Sequence, residues 1–426
     1  MTSSAGKAQT KGAKATIAIA LVTSLFFIWG LAMNLVNGLN SPMENYLELS
    51  ATEASLLQVA YYGAYFVMAI PATMVAKRFG YKGGVILGIA LFAIGSFITV
   101  PATSTASYAI FLVSMFVIAA GASSLEANCN PYITKLGDER HEAMRLNLAQ
   151  GFNGVGTMVG PLILAQILGA TVSAGQPGFD AAKMEFLTSM RTVYIVIGVV
   201  LLALLAIFIL VKLPTPPGDV AGMESGDELH EKDVSLSAIL KRPHVALGVV
   251  AEFLYVGIQT IGMSLFSGVA LSQWAGLEAG AAAAMLSILS LLFTLGRFAS
   301  VPLLAKFDAG KMLGIYMGAA AILFFVTFLG LGPVSVIALI LAFLFMSIGY
   351  PTVFSLTLSG LHGAATKTAS SLLIMSIVGG ALIPPLAGVL IDATGSTCFA
   401  MIVAVPSLAY VAWYGLKGSK LGLEAK

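Results

Sequence analysis

Apolar blocks of about 20 residues follow one another along the chain, separated by short polar clusters. A helix needs roughly 20 residues, at about 1.5 Å per residue, to cross about 30 Å of hydrocarbon. The pattern predicts twelve spans, the first six at about 16–40, 53–76, 82–101, 106–134, 143–168 and 190–211. The second six lie at about 244–271, 280–304, 311–330, 332–358, 367–390 and 396–416. The first block is long and lacks a small-residue cleavage site, so it reads as an uncleaved span rather than a signal peptide. One interruption is longer than the rest. It carries Pro214, Pro216 and Pro217 and then a mixed acidic stretch from Asp219 to Asp233, the composition of a solvated tether. The expected organisation is a tail at 1–15, a six-helix bundle at 16–211, a linker at 212–243, a second six-helix bundle at 244–416 and a tail at 417–426.

Basic residues alternate with the spans. Lys7, Lys11 and Lys14, then Lys77, Arg78 and Lys82, then Lys135, Arg140 and Arg145 fall on one side. Lys212, Lys232, Lys241, Arg242, Lys306, Lys311, Lys367, Lys417, Lys420 and Lys426 continue that side, whereas the other carries only Lys183 and Arg191 beside Glu44, Glu48 and Glu53. The positive-inside rule then places both termini in the cytoplasm. The protein is expected in the plasma membrane, which is the inner membrane of a Gram-negative source.

Composition narrows the class further. Charged residues make up 10% of the chain, against roughly 25% in soluble domains. The net charge of +2 offers no attraction for a nucleic acid. Cys129 and Cys398 are far apart and suit neither a disulfide framework nor a metal site. No His, Cys and carboxylate cluster suggests a metal enzyme, and no cofactor is expected.

A weak repeat links the two halves. Asn130-Pro131 of the fourth span has a counterpart in Tyr350-Pro351 of the tenth. "LNLAQGFNGVGTMVGPLI" at 146–163 and "SSLLIMSIVGGALIPPLAG" at 370–388 both combine small residues with a late proline. Paired repeats of this kind are expected of transporters that move solutes by alternating access around a midplane site. "GFNGVG" lies inside an apolar span with no preceding strand, so it is not a dinucleotide fingerprint.

Polar residues at span depth carry the candidate chemistry. An ionised carboxylate is costly in hydrocarbon, and Glu126 therefore marks an ion or substrate site or a buried structural pair. Asn130, four residues on, shares its helix face, and Pro131 permits a bend beside it. Asn34 and Asn37 of the first span offer amides suited to sugar hydroxyls. Gln150 and Asn153 of the fifth span do the same, with Asn147 nearer the cytoplasmic seam. Each of these amides is equally at home in a bond between helices. In the seventh span Gln259 is a substrate candidate. Glu252, nearer the cytoplasmic end, and Arg297 of the eighth span are expected in a gate or a structural network.

The passages "FFIWGLAMNLVNGLNSPM", "LLQVAYYGAYFVMAIPA", "SLEANCNPYITKLG", "RLNLAQGFNGVG" and "FMSIGYPTVFSLTLSGL" resemble the fucose–proton symporter family of the major facilitator superfamily along nearly the whole chain. The resemblance implies an all-α polytopic fold of twelve helices and cation-coupled uptake of a hexose, deoxyhexose or amino sugar. It implies that Glu126 is the membrane carboxylate, that Asn130 and Gln150 touch sugar, and that Asn34 is the polar residue of the first span. It also exposes a departure. Where fucose–proton members carry an aspartate, this chain has Asn37, which cannot take up and release a proton. The family's two-carboxylate proton relay therefore does not carry over directly, and Glu126 is left as the main titratable candidate. One carboxylate with amide oxygens is also a donor set for sodium, so a sodium site near Glu126 competes with proton coupling. The expected activity is symport of a neutral monosaccharide with sodium or a proton by one chain acting alone. An uncoupled sugar facilitator and a transporter of a nonsugar solute are the alternatives.

Overall fold

The computed structural model describes residues 16–31, 45–49, 51–168, 172, 175–216, 234–277 and 279–423, and among them all regular structure is helical. The first elements are α1 (Thr16–Leu31), α2 (Ala51–Ser104), α3 (Tyr108–Lys135), α4 (Glu142–Leu168) and α5 (Phe179–Leu210). After a short α6 (Leu236–Leu240) come α7 (Pro243–Ser264), α8 (Phe266–Gln273), α9 (Ala279–Leu304) and α10 (Ala309–Phe328). The next span is built from α11 (Pro333–Met346) and α12 (Gly349–Thr357), and the one after it from α13 (Gly363–Ser376), α14 (Gly379–Leu382) and α15 (Pro384–Thr394). The last is α16 (Thr397–Ala400) leading into α17 (Ala404–Leu416).

Among the described residues, nine helical stretches are long and apolar enough to cross a membrane, and Thr16–Leu31 is a shorter apolar helix. At about 1.5 Å per residue, the 54 residues of α2 are enough for two crossings, and they form two helices that meet at Gly80. The backbone leaves helical geometry at Gly80 (φ 74°, ψ 174°), between the expected spans 53–76 and 82–101. That φ is open to glycine and strained for other residues. Polar caps mark several starts in the second half. Asp308 accepts from the Lys311 N–H at 2.8 Å and Ser396 from the Phe399 N–H at 3.2 Å.

The apolar faces point outward as well as inward. On α5, Val196, Val199, Leu202, Ile209 and Leu210 are exposed while Tyr194, Leu201 and Phe208 are buried. So large an exposed apolar surface is unfavourable in water and is satisfied by lipid tails.

The chain divides into two compact units. One comprises Met1–Tyr132 with Phe152–Glu228, and the other Ile133–Gly151 with Leu229–Lys426. In the first, α1 and α4 cross so closely that a Cβ on Gly156 would overlap the Phe27 carbonyl oxygen. In the second, α7 and α14 meet the same way, with Gly379 against the Phe253 carbonyl oxygen. Small residues let transmembrane backbones touch. The recurrence, glycine against a phenylalanine carbonyl in both units, is the structural counterpart of the repeat between 146–163 and 370–388.

Proline shapes the tenth expected span. Pro351 has no N–H for the Ser347 carbonyl, and the helix is interrupted there, α11 ending at Met346 and α12 starting at Gly349. The carbonyls at the interruption find side-chain donors. Tyr255 Oη donates to the Met346 carbonyl at 2.7 Å and Arg297 Nε to the Ser347 carbonyl at 3.0 Å.

Candidate solute and ion site

In the first unit the candidate chemistry gathers on α3. Glu126 is 8% exposed and Asn130 fully buried, four residues apart on one face. Pro131 withholds the N–H that the Ala127 carbonyl would accept, so the polar face adjoins a weakened turn of the helix. Tyr61, from α2, and Cys129 lie close enough to feel the Glu126 charge. Tyr61 packs on Tyr65 and Tyr62 with ring centroids 5.0 and 5.4 Å away. Ser123 Oγ donates to the Tyr65 carbonyl at 3.2 Å, fastening α3 to this aromatic group. One face of α3 thus carries a buried carboxylate and a buried amide, groups suited to binding hydroxyls. Asn34 and Asn37 lie outside the described residues.

Asn153, also of the first unit, donates from Nδ2 to the Phe26 carbonyl at 3.0 Å. Its donor therefore serves the α1–α4 crossing, the helix-to-helix alternative left open for it, while its side-chain oxygen keeps acceptor capacity.

The second unit holds the other expected residues. Gln150 is 3% exposed, and its carbonyl accepts from Arg297 Nη1 at 2.8 Å. The Arg297 guanidinium sits 4.6 Å from the Phe293 ring centroid. On α7, Gln259 is half-buried, Glu252 is fully buried, and Tyr255, one turn on, ties α7 to the interrupted span. Asn147 Nδ2 donates to the Ala143 carbonyl at 2.8 Å and to Thr352 Oγ1 at 3.1 Å. The structure thus brings Gln150, Asn147 and Arg297 together with the α11–α12 span and puts Glu126 and Asn130 on one buried face of α3. Trp29 is buried against Phe26, ring centroids 4.2 Å apart.

A further charged group was read in the sequence only as loop charge. Lys135 Nζ donates to Glu142 Oε1 at 2.9 Å and to the Leu358 carbonyl at 3.1 Å. Leu358 caps the C-terminus of α12, where free carbonyls favour a cation. Arg145 Nε donates to the Ile133 carbonyl at 3.0 Å and Nη1 to the Asp138 carbonyl at 2.8 Å, while Nη2 reaches the Thr134 carbonyl. Burial pushes the Glu142 carboxyl above its ordinary range, and the Lys135 ammonium pulls it back. An acid flanked at short spacing by two bases was the available signal. Among the described residues no group of His, Cys, Asp and Glu could hold a metal ion.

Residues 22–375 match the sequence signature of the Major Facilitator Superfamily, well over half of the chain. The chain belongs to the Major Facilitator Superfamily. This facilitator is 35% identical over 408 residues to the L-fucose-proton symporter of Escherichia coli (strain K12), covering 92% of this chain and 91% of that protein. It is also 35% identical over 409 residues to the glucose/galactose transporter of Brucella abortus biovar 1 (strain 9-941), covering 95% of this chain and 94% of that one. Its fold superposes on the crystal structure of the transporter FucP in the outward conformation with a TM-score of 0.84. Identity there is 34%, over 94% of this chain and 98% of the other. The expected all-α, multi-pass major facilitator fold and the resemblance to fucose–proton symporters are both borne out. As a facilitator, the protein moves a solute across the membrane rather than transforming it.

Proposed function

We propose that this facilitator is a secondary active symporter of a neutral monosaccharide, a hexose or deoxyhexose such as glucose, galactose, mannose or fucose. The observation that carries the reading is identity of 35% over more than nine-tenths of the chain to both a fucose–proton symporter and a glucose/galactose transporter. The buried Glu126–Asn130 face supports it from the geometry. In this reading Asn34, Asn37, Asn130, Gln150, Asn153 and Gln259 contact sugar, and Glu126 with Asn37 handles the cation. Glu252 and Arg297 belong to a gate or structural network. The twelve spans form two six-helix bundles, 16–211 and 244–416, joined by a cytoplasmic linker, with both termini cytoplasmic. One chain suffices.

The coupling ion is a proton or sodium. A carboxyl group in hydrocarbon is tolerated best when neutral, which suits a proton carrier. A carboxylate with amide oxygens suits sodium, and Asn37, where fucose–proton relatives carry an acid, favours that second ion or an uncoupled carrier. Uptake by purified protein in vesicles separates these readings. An inward proton or sodium gradient, imposed singly, should drive a labelled glucose, galactose, mannose or fucose above its equilibrium level. Equilibration alone under both gradients would make the protein a facilitator without coupling. Failure of all four sugars to bind or move would remove the substrate assignment.

A further inference from the structure

Arg297 occupies the junction of three helices. Its Nε donates to the Ser347 carbonyl at 3.0 Å, the group that Pro351 deprives of a backbone donor. Its Nη1 donates to the Gln150 carbonyl at 2.8 Å, on a helix from the other half of the sequence. The flanking residues reinforce both contacts. Gly296 is so close to Ser347 and the Leu344 carbonyl that a Cβ there would overlap them, and the Phe298 ring lies against Gly151. Nearby, Tyr255 Oη holds the adjacent Met346 carbonyl, and Asn147 reaches Thr352 on α12. The side chain is 5% exposed, with its cation over the Phe293 ring. A guanidinium offers donors in a rigid fork that can serve two separate carbonyls at once. A helix interruption that needed capping alone would be satisfied by one donor.

We infer that Arg297 is a positioning residue that locks the interrupted α11–α12 span to α4 at Gln150, so that the seam between them stays shut and the Gln150 amide is held in place. The seam is lined beyond this point by Ala143, Leu304, Met312 and Ile348, which are buried together. Both of its acceptors are main-chain oxygens, so the tie depends on Arg297 and not on the identity of the side chains it joins. The consequence for sugar rests on Gln150 being a sugar contact, as proposed above, but the lock itself does not.

The test therefore uses no sugar and no ion. A cysteine at Ala143, in a background with Cys129 and Cys398 replaced by alanine, reports the seam by its rate of maleimide labelling. A cysteine at Ala320, fully buried on α10 away from the junction, reports general loosening. Arg297→Gln should speed labelling at position 143 several-fold and leave position 320 unchanged. Arg297→Lys, which keeps the charge but reaches one carbonyl, should fall between wild type and Arg297→Gln and covers the case that the glutamine variant does not fold. Adding Pro351→Ala to Arg297→Gln restores a backbone donor to Ser347 without restoring the tie to Gln150. Melting temperature should recover, while labelling at position 143 stays fast. The inference is overturned if neither variant changes labelling at 143, if positions 143 and 320 rise together, or if Pro351→Ala returns labelling to the wild-type rate, since Arg297 would then be a cap and nothing more.

Discussion

Glu126 was legible in the sequence because a carboxylate at span depth has few inexpensive explanations, and the structure places it buried beside Asn130 and the Tyr61 group. Lys135, Glu142 and Arg145 were not legible in the same way. Their charges suited a cytoplasmic loop, and their burial depends on carbonyls of residues as distant as Leu358, which no local spacing announces. Arg297 was read as part of a network, but its partners Ser347 and Gln150 are 50 and 147 positions away. The sharpest residue-level prediction concerns Glu126→Gln. The amide keeps the side chain's approximate size and its hydrogen bonding while removing its titration and its negative charge. Sugar binding should survive within about tenfold, equivalent to about 1.4 kcal/mol. Ion-driven accumulation should collapse to the equilibrium level, together with its dependence on sodium or pH. Equilibrium binding and vesicle accumulation, measured on the same folded preparations, check this. Accumulation like that of wild type, with the same ion dependence, would remove Glu126 from the coupling step.

The elements were legible where the chain is periodic and long, and less so where glycine or proline governs. The connection expected between spans 53–76 and 82–101 is a sharp break at Gly80 where two helices meet. Pro351 entered the sequence reading only as part of the repeat, and the structure shows an interruption there whose carbonyls are served by other helices. The small residues at 146–163 and 370–388 pointed to a repeat, and the structure adds that Gly156 and Gly379 each press on a phenylalanine carbonyl. Orientation of the spans rests on the basic loops alone. Cysteines substituted singly at Lys241 and Lys417, both exposed, should react only with a reagent admitted to the cytoplasmic side, and one at Lys183 with an impermeant reagent outside. Labelling of Lys241 and Lys417 positions from outside intact cells would reverse the proposed topology.

At the scale of the whole molecule, composition and hydropathy sufficed for a multi-pass helical protein, and the repeat pointed to a transporter. The superfamily match and the superposition on FucP agree with both. Sequence could not show that Ile133–Gly151 packs in one compact unit with Leu229–Lys426. Within the second unit Asn147 reaches Thr352 on α12, and Lys135 reaches the Leu358 carbonyl at its C-terminus. The same packing puts Gln150 in a unit with Arg297, so the residue proposed to contact sugar also carries the structural tie. The central claim is obligatory movement of sugar with a cation. Its most direct measurement starts with vesicles that contain purified protein and no ion gradient, and adds sugar outside while internal pH and internal sodium are followed by entrapped indicators. Sugar entering down its own gradient should carry the coupling ion inward with it, acidifying the lumen or raising its sodium in proportion to the sugar taken up. Full sugar entry with neither internal pH nor internal sodium changing would contradict symport.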